Sequence, residues 1–444
     1  MSDRCALLFP GQGAYVPGVF RSLAPAEPLV GEVLEGVDRA AARAGRAAVS
    51  PLLLDPGSPS LGELVESSPP DLHLAIFAAE IALFRLATER CGLRPDVLVG
   101  HSFGELVALT AAGVYDVEQG ARLVMARDSA FAACPPERGG MLALGLSASR
   151  TSGLLGALGE WQICVAADNG PRQCVVSGPE QPLGRVRKAA EAIGVGATPL
   201  PVPYPFHNPC LAPVAREFAD RAAALGAGPA RYRVYSAILG RTLDGAEDTA
   251  ALVAAHLVRP TRFVDAVRAL HADGVGTFVE CGARGVLTDL VGTIVPGITA
   301  IAPLRRRGTA EEILGALRGA GDVSVPSQGP VPKPLPAAVR AAEPVAPDPD
   351  LPEHEEIIAF LQHMYAESLG YPVDVLTPDA DLDADLGVDS IKQTELFARA
   401  ASHYDRVPPT EGRRISNYGS LEALAELLAT LPVGEGHQVA EPIR

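Results

Sequence analysis

Lysine is scarce in this chain. Lys188, Lys333 and Lys392 are the only lysines among 37 Lys and Arg, and 53 Asp and Glu leave a formal net charge of −16. That balance excludes a general nucleic-acid binder, which needs a basic surface to meet phosphates. Paired cysteines are missing as well. The seven cysteines are scattered with no C-x-x-C spacing. This argues against a disulfide framework or a metal site and fits reduced thiols in a cytoplasmic protein. No apolar run is long enough for a membrane span; the most apolar stretch, residues 74–87, is short and interrupted by Glu80 and Arg85. Residues 1–15 carry no apolar run after a basic start, so no secretory leader is expected. What is present is 444 residues, 48% of them hydrophobic, enough for two or three packed domains.

Residues 323–352 divide the chain. Prolines at 326, 330, 332, 334, 336, 344, 347, 349 and 352 alternate with few large apolar residues. Such a segment cannot bury a core and is expected to be an extended linker, reaching roughly 90 Å at about 3.1 Å per residue. Residues 1–322 then form one domain, 353–432 a second, and 433–444 a tail. Between residues 351 and 435, 16 Asp and Glu stand against 5 Lys and Arg, a net of −11. The small second domain therefore holds most of the acidity, a property of modules that meet basic patches or simply stay soluble.

The first domain alternates short apolar runs with helical patterns, the signature of an α/β fold with a parallel sheet. Strands are expected at residues 5–9 and 96–99, and helices at 72–86 and 102–112. Within about 135–202 the order becomes strand 141–146, helix 148–158, strand 163–167, strand 173–177, helix 183–193, strand 197–202. That βαββαβ order predicts a ferredoxin-like insertion. The second domain reads as all-α, with helices at 353–369, 390–401 and 420–430, the last capped by Ser420. Short helices of this kind need one another, so a four-helix bundle is expected.

Gly100-His101-Ser102-Phe103-Gly104 follows directly on the apolar run 96–99. A G-x-S-x-G strand-to-helix turn lifts a serine hydroxyl to a helix N-terminus, where free N–H groups stabilise an oxyanion. A serine also needs a base. Of nine histidines, His207 in Tyr204-Pro205-Phe206-His207-Asn208-Pro209 is held in a proline-flanked loop, although a solvated loop histidine is the ordinary alternative. Phe9-Pro10-Gly11-Gln12-Gly13 supplies glycines where a backbone can approach a ligand.

These pieces, in this order, resemble the malonyl-CoA:acyl carrier protein acyltransferase family, including polyketide synthase acyltransferase domains. The similarity runs over residues 5–304 and includes Arg127, Gly140-Met141-Leu142, Asn169, Val176-Ser177-Gly178, Val234-Tyr235-Ser236, Gly240-Arg241 and Phe278-Val279-Glu280-Cys281-Gly282. The resemblance implies a hydrolase-like large subdomain. Ser102 would be its nucleophile, His207 the base, and the backbone N–H groups of Gln12 and Phe103 an oxyanion hole. Arg127 would pair with the free carboxylate of a malonyl group, for which a planar guanidinium fork is suited; a surface ion pair is arginine's commoner fate. His101, Asn169 and His256 would support the site. The sequence departs from the family at Ala237, where Asn or a similar residue is usual, and at His256, where Gln is frequent. A backbone carbonyl near that position orients the histidine in the family. The loop reads Tyr204-Pro205-Phe206-His207, a mixture of the malonyl-type His-Ala-Phe-His and the methylmalonyl-type Tyr-Ala-Ser-His. The bulk of Phe206 favours malonyl and leaves an unusual α-substituted unit open.

Asp385-Leu386-Gly387-Val388-Asp389-Ser390-Ile391-Lys392 is similar to the phosphopantetheine attachment motif of acyl carrier proteins, and the similarity covers residues 353–431. It implies a covalent 4'-phosphopantetheine on Ser390, at a helix start where a phosphodiester is favoured; Asp389 or Ser390 acting only as a cap is the plain alternative. Asp379, Asp381, Asp383 and Asp385 make an acidic approach. The expected partners are malonyl-CoA or a related acyl-CoA, a phosphopantetheinyl transferase, and a ketosynthase or other synthase modules. Nucleic acid, membrane and metal are not expected. A thioesterase unloading carriers, and a non-catalytic scaffold presenting one, are the competing readings.

Overall fold

The computed structural model describes residues 4–321, 354–369 and 418–431, and between the last two residues 373, 376–378, 380, 382, 388, 390–404 and 406. The chain forms two compact units, Met1–Val323 and Ser324–Arg444. The proposed linker at 323–352 and the tail at 433–444 lie outside the described residues.

The first unit contains two sheets. Strands β1 (Arg4–Phe9), β2 (Val97–Gly100), β3 (Gly139–Leu144), β4 (Cys164–Gly170), β5 (Gln173–Pro179), β6 (Ala197–Pro199), β7 (Val234–Ser236), β8 (Arg241–Thr242), β9 (Thr261–Arg262), β10 (Val275–Glu280) and β11 (Thr299–Ile301) follow in chain order. The larger sheet runs β11-β10-β1-β2-β7-β8. Its pairings are parallel except β7 with β8. Parallel strands are covered on both faces and so read as unbroken apolar runs; Ala6, Leu7, Leu8 and Phe9 are all fully buried. The helix Pro69–Arg85 buries every residue from Leu72 to Phe84. It is therefore a core helix, and the two polar side chains of that stretch, His73 and Glu80, are buried with it.

The smaller sheet runs β6-β3-β5-β4-β9. Its first four strands are antiparallel and, with the helices Ala148–Leu158 and Glu180–Ala192, give the ferredoxin-like arrangement expected from the sequence. β9 is an addition to that arrangement. It comes from the large subdomain and pairs in parallel with β4, Ala167 opposite Thr261 and Asp168 opposite Arg262. A two-residue strand is too short to show a period of two.

In the second unit the helices His354–Leu369, Ser390–His403 and Leu421–Ala429 are present. Ile357, Leu361, Tyr365, Leu396, Phe397, Leu424 and Leu428 share one core. Ser420 caps the last helix by accepting a hydrogen bond from the Ala423 N–H at 3.2 Å. The acidic approach at 379, 381, 383 and 385, and most of the interval 405–417 where a fourth helix would fall, lie outside the described residues.

Candidate active site

The turn after β2 carries Ser102. Chain direction reverses here within one turn, and the helix Gly104–Ala111 begins two residues later. Two glycines make this possible. A Cβ on Gly100 would stand 2.2 Å from the Glu105 nitrogen, and one on Gly104 would stand 1.9 Å from the Phe9 carbonyl oxygen. Ser102 itself sits at φ 55° and His207 at φ 60°, in the left-handed region that non-glycine residues avoid. Such outliers persist where the surroundings over-determine them, most often at working sites. Only Arg284 shares this property among the described non-glycine residues.

The two strained residues meet. Ser102 Oγ lies 2.6 Å from His207 Nε2, and His207 Nδ1 lies 2.7 Å from the Arg259 carbonyl oxygen. A carbonyl only accepts, so Nδ1 carries the proton, Nε2 is the acceptor, and the serine hydroxyl donates to it. The imidazole is 2% exposed. Burial pulls its pKa down to about 4, against the raising effect of the Arg259 bond and with help from His101 and Arg127. It is therefore neutral at pH 7, the state a base requires.

His101 and Asn169 do come together: His101 Nε2 donates to Asn169 Oδ1 at 2.7 Å, and Asn169 Nδ2 to Gln173 Oε1 at 2.9 Å. Burial keeps His101 below its ordinary pKa, so it too is neutral at pH 7. Asn208 Nδ2 donates to the Ser177 carbonyl at 3.0 Å, tying the histidine loop to β5. Glu105 anchors the elbow helix, its Oε1 accepting from Ser236 Oγ and from the Ile238 N–H, both at 3.0 Å. Burial raises that carboxyl to about 8, so it is held protonated. Ala237 takes part through its carbonyl, which accepts from the Arg262 N–H at 3.0 Å; that bond needs no particular side chain.

His256 is buried with its ring 6.4 Å from that of His207, and its Nδ1 finds no hydrogen-bond partner among the described residues. It does not orient His207; the Arg259 carbonyl, three residues further on, does so. Burial, Arg127 and His207 all push the His256 pKa well down.

Arg127 is no surface residue. Its side chain is 3% exposed. The guanidinium stands over the Phe206 ring at 4.8 Å and at 5.7 Å from those of Phe103 and Phe131. Among the described residues its Nε and Nη1 have no hydrogen-bond partner, and the carboxylate that approaches it, Asp128, is 3.5 Å from Nη1. A buried cation with unused donors is costly unless an anion arrives. Tyr204 stacks on Phe131 at 4.4 Å, and Phe206 meets Phe131 edge-on at 5.5 Å. Phe131 is thus a third aromatic wall beside the arginine, four residues along the helix Val117–Ala133 and on the same face.

The backbone N–H groups of Gln12 and Phe103 donate to no acceptor among the described residues. The Gln12 loop is braced by Gly282, where a Cβ would lie 2.2 Å from Pro10 Cγ. The orienting carbonyl that the family resemblance implies near position 256 belongs to Arg259, and Phe131, His73 and Asp128 are further residues around this centre that the sequence reading did not single out. A backbone carbonyl has no sequence signature. His73 did have one, as a polar residue in an otherwise apolar helical run.

The fold is that of an acyltransferase, and comparison with known proteins gives its family. Residues 6–318 match the acyl transferase domain and residues 359–428 the phosphopantetheine attachment site; the chain belongs to the acyl transferase family of polyketide synthases and carries a carrier domain of the phosphopantetheine-binding type. It is similar to polyketide synthase GfsA of Streptomyces halstedii, 33% identical over 332 residues, covering 73% of this chain and 4% of that protein. Mycoketide-CoA synthase of Mycobacterium tuberculosis is 32% identical, covering 69% of this chain and 7% of the synthase. The chain thus spans a small part of these relatives. Among solved structures, the acyltransferase domain from the second module of the salinomycin polyketide synthase is 30% identical with a TM-score of 0.64, covering 73% of this chain and 75% of that one. The malonyl CoA-acyl carrier protein transacylase of Coxiella burnetii is 27% identical with a TM-score of 0.65, covering 72% and 99%. Among the described residues no helix is long and apolar enough to cross a membrane.

Proposed function

We propose that this chain moves a malonyl-type acyl unit from CoA to a carrier thiol by way of an acyl ester on Ser102. In the first half, Ser102 Oγ bonds to the thioester carbonyl carbon and its proton passes to His207 Nε2. The carbonyl oxygen takes up negative charge between the Gln12 and Phe103 N–H groups. The carbon–sulfur bond then breaks, and His207 returns the proton to the departing CoA sulfur. In the second half, His207 takes the acceptor thiol's proton, the sulfur bonds to the ester carbon, the carbon–Oγ bond breaks, and His207 gives the proton back to Ser102 Oγ. The phosphopantetheine arm, when attached, supplies that thiol. Ser390 would hold it, since it opens the helix Ser390–His403, whose positive end suits a phosphodiester.

Arg127 carries the malonyl reading: a buried guanidinium with two unused donors awaits an anion, and a carboxylate fills its fork at two points. The position of His207 favours transfer over a hydrolase triad, in which a carboxylate would hold the second histidine nitrogen; here a backbone carbonyl does so. We place the protein in the cytoplasm, with a phosphopantetheinyl transferase and the other modules of a synthase as partners. Intact-protein mass spectrometry after exposure to malonyl-CoA tests the reading. The chain should gain one malonyl group, Ser102→Ala none, and His207→Ala should gain it far more slowly. Normal charging of the Ser102→Ala variant would sink it.

A further inference from the structure

His73 lies on the buried helix Pro69–Arg85 and is 7% exposed. Its Nδ1 is 2.8 Å from Asp128 Oδ1. Its Nε2 is 2.5 Å from Gln12 Nε2. A carboxylate only accepts, so Nδ1 carries the ring proton and Nε2 accepts from the Gln12 amide. The ring also packs on Phe103, with centroids 5.6 Å apart. One imidazole therefore touches both of the residues assigned above as oxyanion donors. Asp128 adjoins Arg127 in sequence and lies 3.5 Å from its Nη1. An imidazole and a carboxylate with so little exposure are costly to bury, and a core helix has no structural need of them. Their hydrogen bonds lead to the oxyanion loop.

We propose that His73 and Asp128 form a positioning pair that fixes the Gln12 loop, and through it the oxyanion hole, while Asp128 steadies Arg127 at the other end of the acyl site. This rests on the assignment of Gln12 and Phe103 as oxyanion donors. Asp128 holds the imidazole in one tautomer. That tautomer offers Gln12 an acceptor, and the Gln12 side chain so held keeps its own N–H turned to the site. His73 itself touches no reacting atom.

Side-chain length makes the idea testable. Glutamine places its amide near the imidazole Nε2 position, and asparagine places its amide near Nδ1. His73→Gln therefore keeps a partner for Gln12, whereas His73→Asn keeps only one for Asp128. Ser102 acylation by malonyl-CoA is followed by rapid-quench mass spectrometry on the full chain. His73→Ala should slow the acylation step by about tenfold or more, a fraction of the loss of a whole oxyanion donor, with little change in KM. His73→Gln should recover most of the rate and His73→Asn should not. Gln12→Ala should resemble His73→Ala, and the double variant should be no slower than either, because the two act through one contact. Thermal midpoints, read in parallel, separate a misfolded variant from a mispositioned loop. Equal rates in wild type and His73→Ala, or multiplicative losses in the double variant, would overturn the pair while leaving the acyltransferase reading intact. Failure of the wild-type chain to acylate Ser102 would instead overturn that reading.

Discussion

His207, the proposed base, has a pKa set by neighbours of known sign. An ordinary imidazole titrates at 6.5, and burial, with His101 and Arg127 adding to it, brings His207 to about 4. Protonation removes the acceptor for the serine hydroxyl, so acylation should fall away only as pH drops towards about 4, well below the range of a free imidazole. Arg127→Ala removes a nearby positive charge. Protonation of His207 then becomes easier, and the acid limb should move to higher pH. The same variant should lose malonyl transfer strongly and keep acetyl transfer far better, because only the former brings a carboxylate to the guanidinium. Measuring both acyl-CoAs across pH on one variant checks both expectations. An unchanged malonyl-to-acetyl ratio would refute the pairing, and an unmoved limb would refute the electrostatic coupling.

The elbow between β2 and the following helix shows how far local sequence can be taken. Gly104 lies so close to the Phe9 carbonyl that Gly104→Ala has no relaxed solution. That substitution should destabilise the first unit by about 3 kcal/mol or more, seen as a lowered thermal midpoint with loss of Ser102 acylation. A midpoint within a degree or two of wild type would show that the elbow tolerates a side chain. Glycines at fixed offsets, like the apolar run of β1 and the period of the helix Ala148–Leu158, follow from backbone sterics and burial, so they are visible in one dimension. The βαββαβ insertion was legible for the same reason. What was not legible depends on pairs far apart in the chain. Arg259 stands 52 residues from His207 and acts through its carbonyl. Asp128 stands 55 residues from His73. β9 owes its strand conformation to pairing with β4, almost a hundred residues earlier in the chain. His256 was the visible residue in its segment, but the working atom is a main-chain oxygen one turn away.

At the scale of the whole chain, a transferase and a carrier are encoded together, and most of the net negative charge belongs to the carrier. Only one serine in that unit, Ser390, has both the Asp-Ser context and the first position of a helix. A phosphopantetheinyl transferase with CoA should add one arm to the chain and none to Ser390→Ala. The Ser390→Ala variant should still acylate Ser102 at the wild-type rate, since the two serines serve different halves of the reaction. An arm placed elsewhere would end the assignment of Ser390.

The seam between the two sheets of the first unit has a mechanical meaning. Ser102 rides on the large sheet. His207 is gripped on one side by Arg259, two residues before the strand that joins β4, and its neighbour Asn208 is bonded to β5. His101 is latched to Asn169 on β4 as well. The proposed nucleophile and base thus meet at the seam whose jaws are the two sheets, and the 2.6 Å contact between them is a gauge of how tightly the jaws are shut. Mild heating should spring that gauge before either jaw melts. Ser102 acylation should vanish at a temperature several degrees below the loss of far-ultraviolet circular dichroism, and should return on cooling; coincidence of the two transitions would show the jaws to be one block.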